Sequence, residues 1–151
     1  MTVAEVFDPV ILPIAFGIAV ASVLLLFHRV WRRYPGIPAR VPLRIGVDGR
    51  PSRRLGPKGM LWIAPVGLAA AVALVGAACF GFAPPRQDQH VLIAAVFLIC
   101  AEVAWYVGWI LDRQIELARK MTYRIAPARI FRASLPILIS VLVILIIAVR
   151  G

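Results

Sequence analysis

Four long apolar runs constrain this chain more than any other feature of its sequence. They cover residues 9–27, 60–83, 91–111 and 133–149. Each run has about the length that a helix needs to cross roughly 30 Å of hydrocarbon, although the fourth is slightly short. The chain has 151 residues, of which 62% are hydrophobic, and this share exceeds that of an average soluble domain. The pattern predicts an all-α integral membrane protein with four transmembrane helices.

The limits of the predicted helices follow from the runs and from the residues beside them. We expect transmembrane helices over about residues 9–31, 60–83, 91–111 and 133–149, with the third continuing to about residue 124. No positive charge precedes the first run, which is also too long for a secretory signal, so we expect it to be retained. No internal repeat is visible, and residues 1–151 are predicted to form a single membrane domain.

Positive charge is concentrated beside two of the three predicted loops. Nine of the 17 Lys and Arg residues lie in or beside the first loop, residues 32–58, and six lie in the third. Because basic loops stay on the cytoplasmic side, we expect both loops there and both termini on the non-cytoplasmic side. Anionic headgroups attract such loops, which accounts for the net charge of +10 without nucleic acid.

The first loop, residues 32–58, is rich in proline, glycine and arginine. A short strand is expected over Val41 to Val47 with Pro42 on its edge, followed by a turn at Asp48 and Gly49. Since prolines reduce the entropy lost on ordering, the loop is predicted to be a stiff docking cap for anionic lipid or another subunit. The candidate docking residues are Arg40, Arg44, Arg50, Arg53, Arg54 and Lys58.

The spacing of prolines and glycines in this loop resembles a bacterial membrane domain of unknown function found in SdpI-type immunity proteins. The matching residues, within about residues 15–80, are Tyr34, Pro35, Ile37, Pro38, Val41, Pro42, Gly49, Gly56 and Lys58. Arg44 and Ile45 stand where that family has a histidine and an aromatic residue, so a ligand role of the histidine does not carry over. The resemblance implies a protein of the bacterial inner membrane, with immunity or signalling through a bound peptide as an alternative function.

Glu102 is the only Asp, Glu, His, Lys or Arg within the four apolar runs. A carboxylate is costly in hydrocarbon, which makes this residue a candidate functional site. Trp105, Tyr106 and Trp109 follow at i+3, i+4 and i+7 and are predicted to share its helix face. Two interpretations stay open. In the first, Glu102 is a proton or ligand site in a proton-coupled transporter component. In the second, which we favour, it is a protonated carboxyl group that forms a hydrogen bond with a neighbouring helix.

The second helix is predicted to be the packing centre, because small residues let helix backbones approach closely in lipid. The alternative is an alanine-rich composition without a packing role. Cys79 and Cys100 differ in predicted depth by roughly 9 Å, so we expect two buried free thiols rather than a disulfide.

Catalytic and cofactor chemistry is not expected. His28 and His90 lie at opposite ends of their helices, so they cannot jointly bind a haem or pigment. No cysteine and histidine pattern has metal-ligand spacing, and no glycine-rich loop has the phosphate-binding pattern. We therefore predict no enzyme activity, no catalytic residue, no metal site and no cofactor. The leading hypothesis is a small accessory or scaffolding subunit of a larger respiratory, photosynthetic or transport complex in the membrane.

Overall fold

The computed structural model describes residues 3–43, 45, 50–82, 89–119 and 126–150. Its main elements, in chain order, are α1 (Val3–Arg33), β1 (Arg40–Pro42), β2 (Leu55–Pro57), α2 (Ile63–Ala77), α3 (His90–Arg119) and α4 (Pro127–Arg150). Two 3-10 turns, Tyr34–Gly36 and Lys58–Trp62, flank the strands, and a π-helical turn, Ala78–Phe82, extends α2. The predicted all-α class therefore holds for the described residues, apart from one short hairpin.

Three segments of the described chain are long and apolar enough to cross a membrane. They are Val10–Gly36, Lys58–Gly81 and His90–Arg119. Large apolar side chains such as Leu24, Leu25 and Leu74 are exposed on them. Such surfaces are unfavourable in water but suit hydrocarbon, so the chain has the helices of a membrane protein.

A fourth crossing is not confirmed. α4 begins at Pro127, six residues before the predicted start of its transmembrane part, and its first turns carry Arg129 and Arg132. The apolar part that remains, residues 133–149, is about 25 Å long as a helix, against roughly 30 Å of hydrocarbon. The predicted continuation of the third helix is seen as far as Arg119, and residues 120–124 lie outside the described residues.

α1 and α3 form the central pair of the bundle. Buried residues recur on α1 every three or four positions, which is the spacing of one helix face. They are Leu12, Ala15, Ala19, Val23, Leu26 and Val30. The opposing face of α3 buries Ala94, Phe97, Ala104, Leu111 and Ile115 in the same apolar cluster.

α2 packs beside this pair rather than at its centre, so the prediction of α2 as the packing centre is wrong. Ala70, Ala71 and Ala77 are exposed, and of the two glycines of α2 only Gly76 lies against another helix. A Cβ atom at Gly76 would lie 2.5 Å from the ring of Phe16 on α1. The glycine at position 76 thus leaves space for an aromatic ring of α1, while most of the alanines of α2 face outward.

The loop between α1 and α2 folds into an antiparallel hairpin. β1 pairs with β2 so that Val41 lies opposite Gly56, and an isolated bridge joins Ile45 to Pro51. The predicted strand is thus present, but shorter, while Val47, Asp48 and Gly49 lie outside the described residues. We call the described part of residues 34–58 the cap.

Candidate functional site

The cap rests on the last turns of α3. Its buried side chains, Ile37, Val41 and Pro42, point inward, and β1 contacts α3 directly. Ile37 and Val41 belong to the same apolar cluster as Leu111 and Ile115. Because this end of the bundle lies beyond the most apolar part of the helices, the hydrophobic effect can hold the cap in place.

Polar contacts fix the cap and the end of α1 to α3 at three points. The guanidinium of Arg119 donates a hydrogen bond to the carbonyl oxygen of Gly36, with the two atoms 3.1 Å apart. The side-chain amide of Gln114 makes a longer contact, 3.5 Å, with the carbonyl oxygen of Leu43. At the end of α1, Arg33 forms an ion pair of 2.8 Å with Asp112. These contacts lie along two turns of α3, so the cap has one defined position.

Gly56 marks the tightest point inside the cap. A Cβ atom there would lie 2.3 Å from Leu43 Cδ2 and 2.8 Å from Met60 Sδ. Two backbone hydrogen bonds flank this point, from Leu43 to Arg54 and from Lys58 to Ala39, each 3.1 Å long. The hairpin therefore closes around a position that only glycine can occupy without displacement of its neighbours.

An aromatic cluster joins the cap to α1 and α2, and we call it the aromatic hub. Trp62 lies at its centre, with ring centroids 5.7 Å from Phe27, 6.4 Å from Trp31 and 5.9 Å from Tyr34. The ammonium of Lys58 lies 4.6 Å from the centre of the Tyr34 ring. Aromatic pairs of this kind contribute roughly 0.5–1.5 kcal/mol each beyond their buried area. The hub therefore fixes the point at which the cap leads into α2.

Five of the six predicted docking residues lie in the described part of the chain. Four of them are exposed on the outer surface of the cap, namely Arg40, Arg50, Arg53 and Arg54. Lys58 is half-buried over the Tyr34 ring, so it has a structural contact as well as its charge. Arg44 lies outside the described residues, as does Asp48, the only acid of this loop. The described outer face of the cap is therefore strongly cationic.

Glu102 lies on the side of α3 that faces α4. The hydroxyl of Ser140 on α4 donates a hydrogen bond of 2.8 Å to Glu102 Oε1. Its second oxygen, Oε2, is buried and has no hydrogen-bond partner among the described residues. The arrangement agrees with the interpretation of Glu102 as a link to a neighbouring helix, and it leaves one oxygen for a proton.

The three aromatic residues after Glu102 have different surroundings. Trp105 is 52% exposed. Tyr106 and Trp109 stack on each other, with centroids 6.3 Å apart and an interplanar angle of 12°. Trp109 also lies 5.7 Å from the guanidinium carbon of Arg113. The stack therefore continues along α3 to Arg113.

The histidines and cysteines do not converge on one centre. His28 is exposed on α1, and His90 begins α3, with its Nδ1 buried and unpaired among the described atoms. Cys79 and Cys100 are both free, as predicted, although only Cys79 is fully buried. Within the described residues, no group of three His, Cys, Asp or Glu residues is placed to hold a metal ion.

Several residues that hold this site together were missed from the sequence. Asp112, Gln114 and Arg119 looked like ordinary polar residues of an extended helix, and Arg33 was counted with the headgroup-facing cations. One signal was present: Asp112 follows directly after an apolar run in a region otherwise rich in arginine, which favours an ion pair. Contacts across about 80 residues of sequence, such as Arg33 with Asp112, carry no local pattern.

Comparison with known proteins found no matching family model, no matching curated protein and no matching solved structure.

Proposed function

We propose that this protein is a non-catalytic accessory or scaffolding subunit of a larger membrane complex, and that the cap is its docking surface. The observation that carries this proposal is the fixed placement of an exposed cationic face. Ordering a flexible loop opposes binding, whereas a cap already held by α3 avoids most of that loss. Complementary charge then favours an acidic partner surface and speeds its encounter with the cap.

The proposal includes an orientation in the bacterial inner membrane. Four crossings would place the cap and the start of α4 on the cytoplasmic side, with both termini on the opposite side. The distribution of Lys and Arg supports this arrangement, since 15 of the 17 lie in or beside the two loops concerned. Arg129 and Arg132 would then lie on the same side as the cap without belonging to it.

Affinity purification of the tagged full-length chain from its native membranes tests the docking role. We expect the double variant Arg53→Gln, Arg54→Gln to lose its co-purifying subunit at low ionic strength. The difference from the wild type should shrink at high ionic strength, because salt screens the charged contact in the wild type as well. The matched control is Arg129→Gln, Arg132→Gln, which removes two exposed cations from the start of α4. Equal retention of partners by both double variants, or a protein with no partner by mass spectrometry, would overturn the proposal.

A second candidate role rests on the unpaired oxygen of Glu102. A carboxyl group whose second oxygen is buried without a hydrogen-bond partner among the described residues suits the uptake and release of a proton, so a proton-coupled transport role remains a proposal. Proteoliposomes containing the full chain, with any co-purified subunits, would then show a proton flux that Glu102→Gln abolishes. The immunity or signalling alternative also stays a prediction, and it requires that deletion of the protein sensitise cells to a membrane-active peptide.

A further inference from the structure

An apolar groove of about 240 Å³ lies between α1 and α2, away from the docking face of the cap. Four residues of α1 and three of α2 line it. They are Phe16, Val20, Val23, Leu24, Ala69, Val72 and Ala73. The space exists because two alanines on α2 face larger side chains on α1 and do not fill the gap. Spaces with such a lining stay dry and accept apolar guests.

The surroundings of the groove determine what reaches it. Both walls belong to segments long and apolar enough to cross a membrane, Val10–Gly36 and Lys58–Gly81. Leu24 and Ala73, at its margin, are exposed on the outside of the bundle. The groove therefore opens toward hydrocarbon, and the molecules present there in high concentration are lipid acyl chains.

A continuous seam leads from the groove to a positive charge. Phe27 follows Val23 by four residues on the same face of α1, and its ring contacts Trp62 of the aromatic hub. The hub continues through Tyr34 to the Lys58 ammonium. From Val23 to Tyr34 the chain rises by about 16 Å, which is close to half the thickness of a hydrocarbon core. A phosphate beside Lys58 would thus place the far end of its acyl chain in the groove.

We propose that this groove binds one acyl chain of an anionic phospholipid whose phosphate contacts Lys58. The lipid would act as a filler between α1 and α2, which otherwise meet closely at Gly76 and Phe16. The charge of Lys58 favours a lipid with an anionic headgroup. The groove favours one bound lipid molecule at this place over the other lipids that surround the helices. This inference does not depend on the docking role of the cap.

Native mass spectrometry of the full-length protein, purified in mild detergent with added phosphatidylglycerol or phosphatidylcholine, provides the test. We expect one phosphatidylglycerol molecule to stay bound to the wild-type protein at a collision energy that removes phosphatidylcholine. Ala73→Leu fills the groove and should weaken retention about tenfold, since that factor corresponds to roughly two buried methylene groups of the chain. Ala71→Leu is the matched control, because Ala71 is exposed on α2 but does not line the groove.

A second variant separates the contribution of the lipid headgroup from that of the acyl chain. Lys58→Gln should reduce the preference for phosphatidylglycerol over phosphatidylcholine while both lipids still compete for one place. The proposal is overturned if Ala73→Leu retains lipid as well as Ala71→Leu does, or if Lys58→Gln leaves the headgroup preference unchanged. Loss of a co-purifying protein with Ala73→Leu, without loss of lipid, would show that a partner helix occupies the groove and would also overturn it.

Discussion

The cap and α4 are both attached to α3, but different forces hold them. The cap buries Ile37, Val41 and Pro42 and adds polar contacts from α3 to its backbone. Most of the described apolar side chains of α4 are exposed, and the described polar link of α4 to α3 is the hydrogen bond of Ser140 with Glu102. Burial stabilises a loop that water surrounds, whereas lipid tails give two apolar helices no such driving force. The cap is therefore a built-in part of the bundle, whereas few of the described apolar side chains of α4 are buried against it.

The largest expected effect on the stability of the cap comes from Gly56→Ala, which adds a methyl group in the interior of the cap. The added methyl group would displace the ends of the Leu43 and Met60 side chains, and a side chain forced off its rotamer costs about 0.5–1.5 kcal/mol. The hairpin should then open more often, and trypsin should cut at Arg53 and Arg54 about fivefold faster in limited proteolysis.

Gly59→Ala is the control for this experiment, because a Cβ atom at Gly59 meets no atom within 4 Å. It should leave the trypsin pattern as in the wild type. If Gly56→Ala and Gly59→Ala are cut at the same slow rate, the cap is not held as the close contact at Gly56 implies.

A smaller effect is expected for the link between α3 and α4. Ser140→Ala removes the donor to Glu102, and hydrogen bonds between membrane helices average about 0.6 kcal/mol. Glu102→Gln keeps an acceptor oxygen and should cost less than Glu102→Leu. Unfolding free energies of the three variants in detergent micelles measure this order. A cost for Glu102→Gln as large as for Glu102→Leu would show that the carboxyl group itself, not its hydrogen bond, matters.

The smallest effect is expected at the ion pair of Arg33 with Asp112. Its side chains are 47% and 27% exposed, so solvent screens the pair, and a coupling of about 0.5 kcal/mol is expected. A double-mutant cycle with Arg33→Gln and Asp112→Asn measures this coupling, which should shrink in high salt. A coupling above about 2 kcal/mol would mean that this pair, rather than apolar burial, holds the end of α1 to α3.

Local patterns explain why the helices could be predicted and the packing could not. The apolar runs, and Pro35 beyond the end of α1, set α1, α2 and the apolar part of α3 through composition and helix-breaking chemistry. The strand at Pro42 was also predicted, since its signals are local, whereas its partner strand Leu55–Pro57 was not. Which helices pair at the centre depends on shape. The alanines of α2 suggested close packing, but the buried faces of α1 and α3 match each other better.

The charged residues of the candidate site could be predicted from the sequence, but the contacts that they make could not. The exposed arginines follow from the sequence, as does the unusual position of Glu102 in an apolar run. The partner of Glu102 does not, because nothing local links it to Ser140, 38 residues further along the chain. The position of the cap over Gln114 and Arg119 likewise has no local signal, because these residues contact Leu43 and Gly36, 71 and 83 residues away in sequence.

Hydrogen–deuterium exchange of the full-length protein in lipid nanodiscs tests the central claim, that the cap is a fixed part of the bundle. The amides of Leu43 and Lys58 donate the hydrogen bonds that close the hairpin. We expect both amides to exchange slowly, at rates comparable to amides in the part of α3 around Leu111, and Gly56→Ala to make them exchange faster. Exchange of both amides at the rate of an unstructured peptide, while α3 remains protected, would contradict the claim.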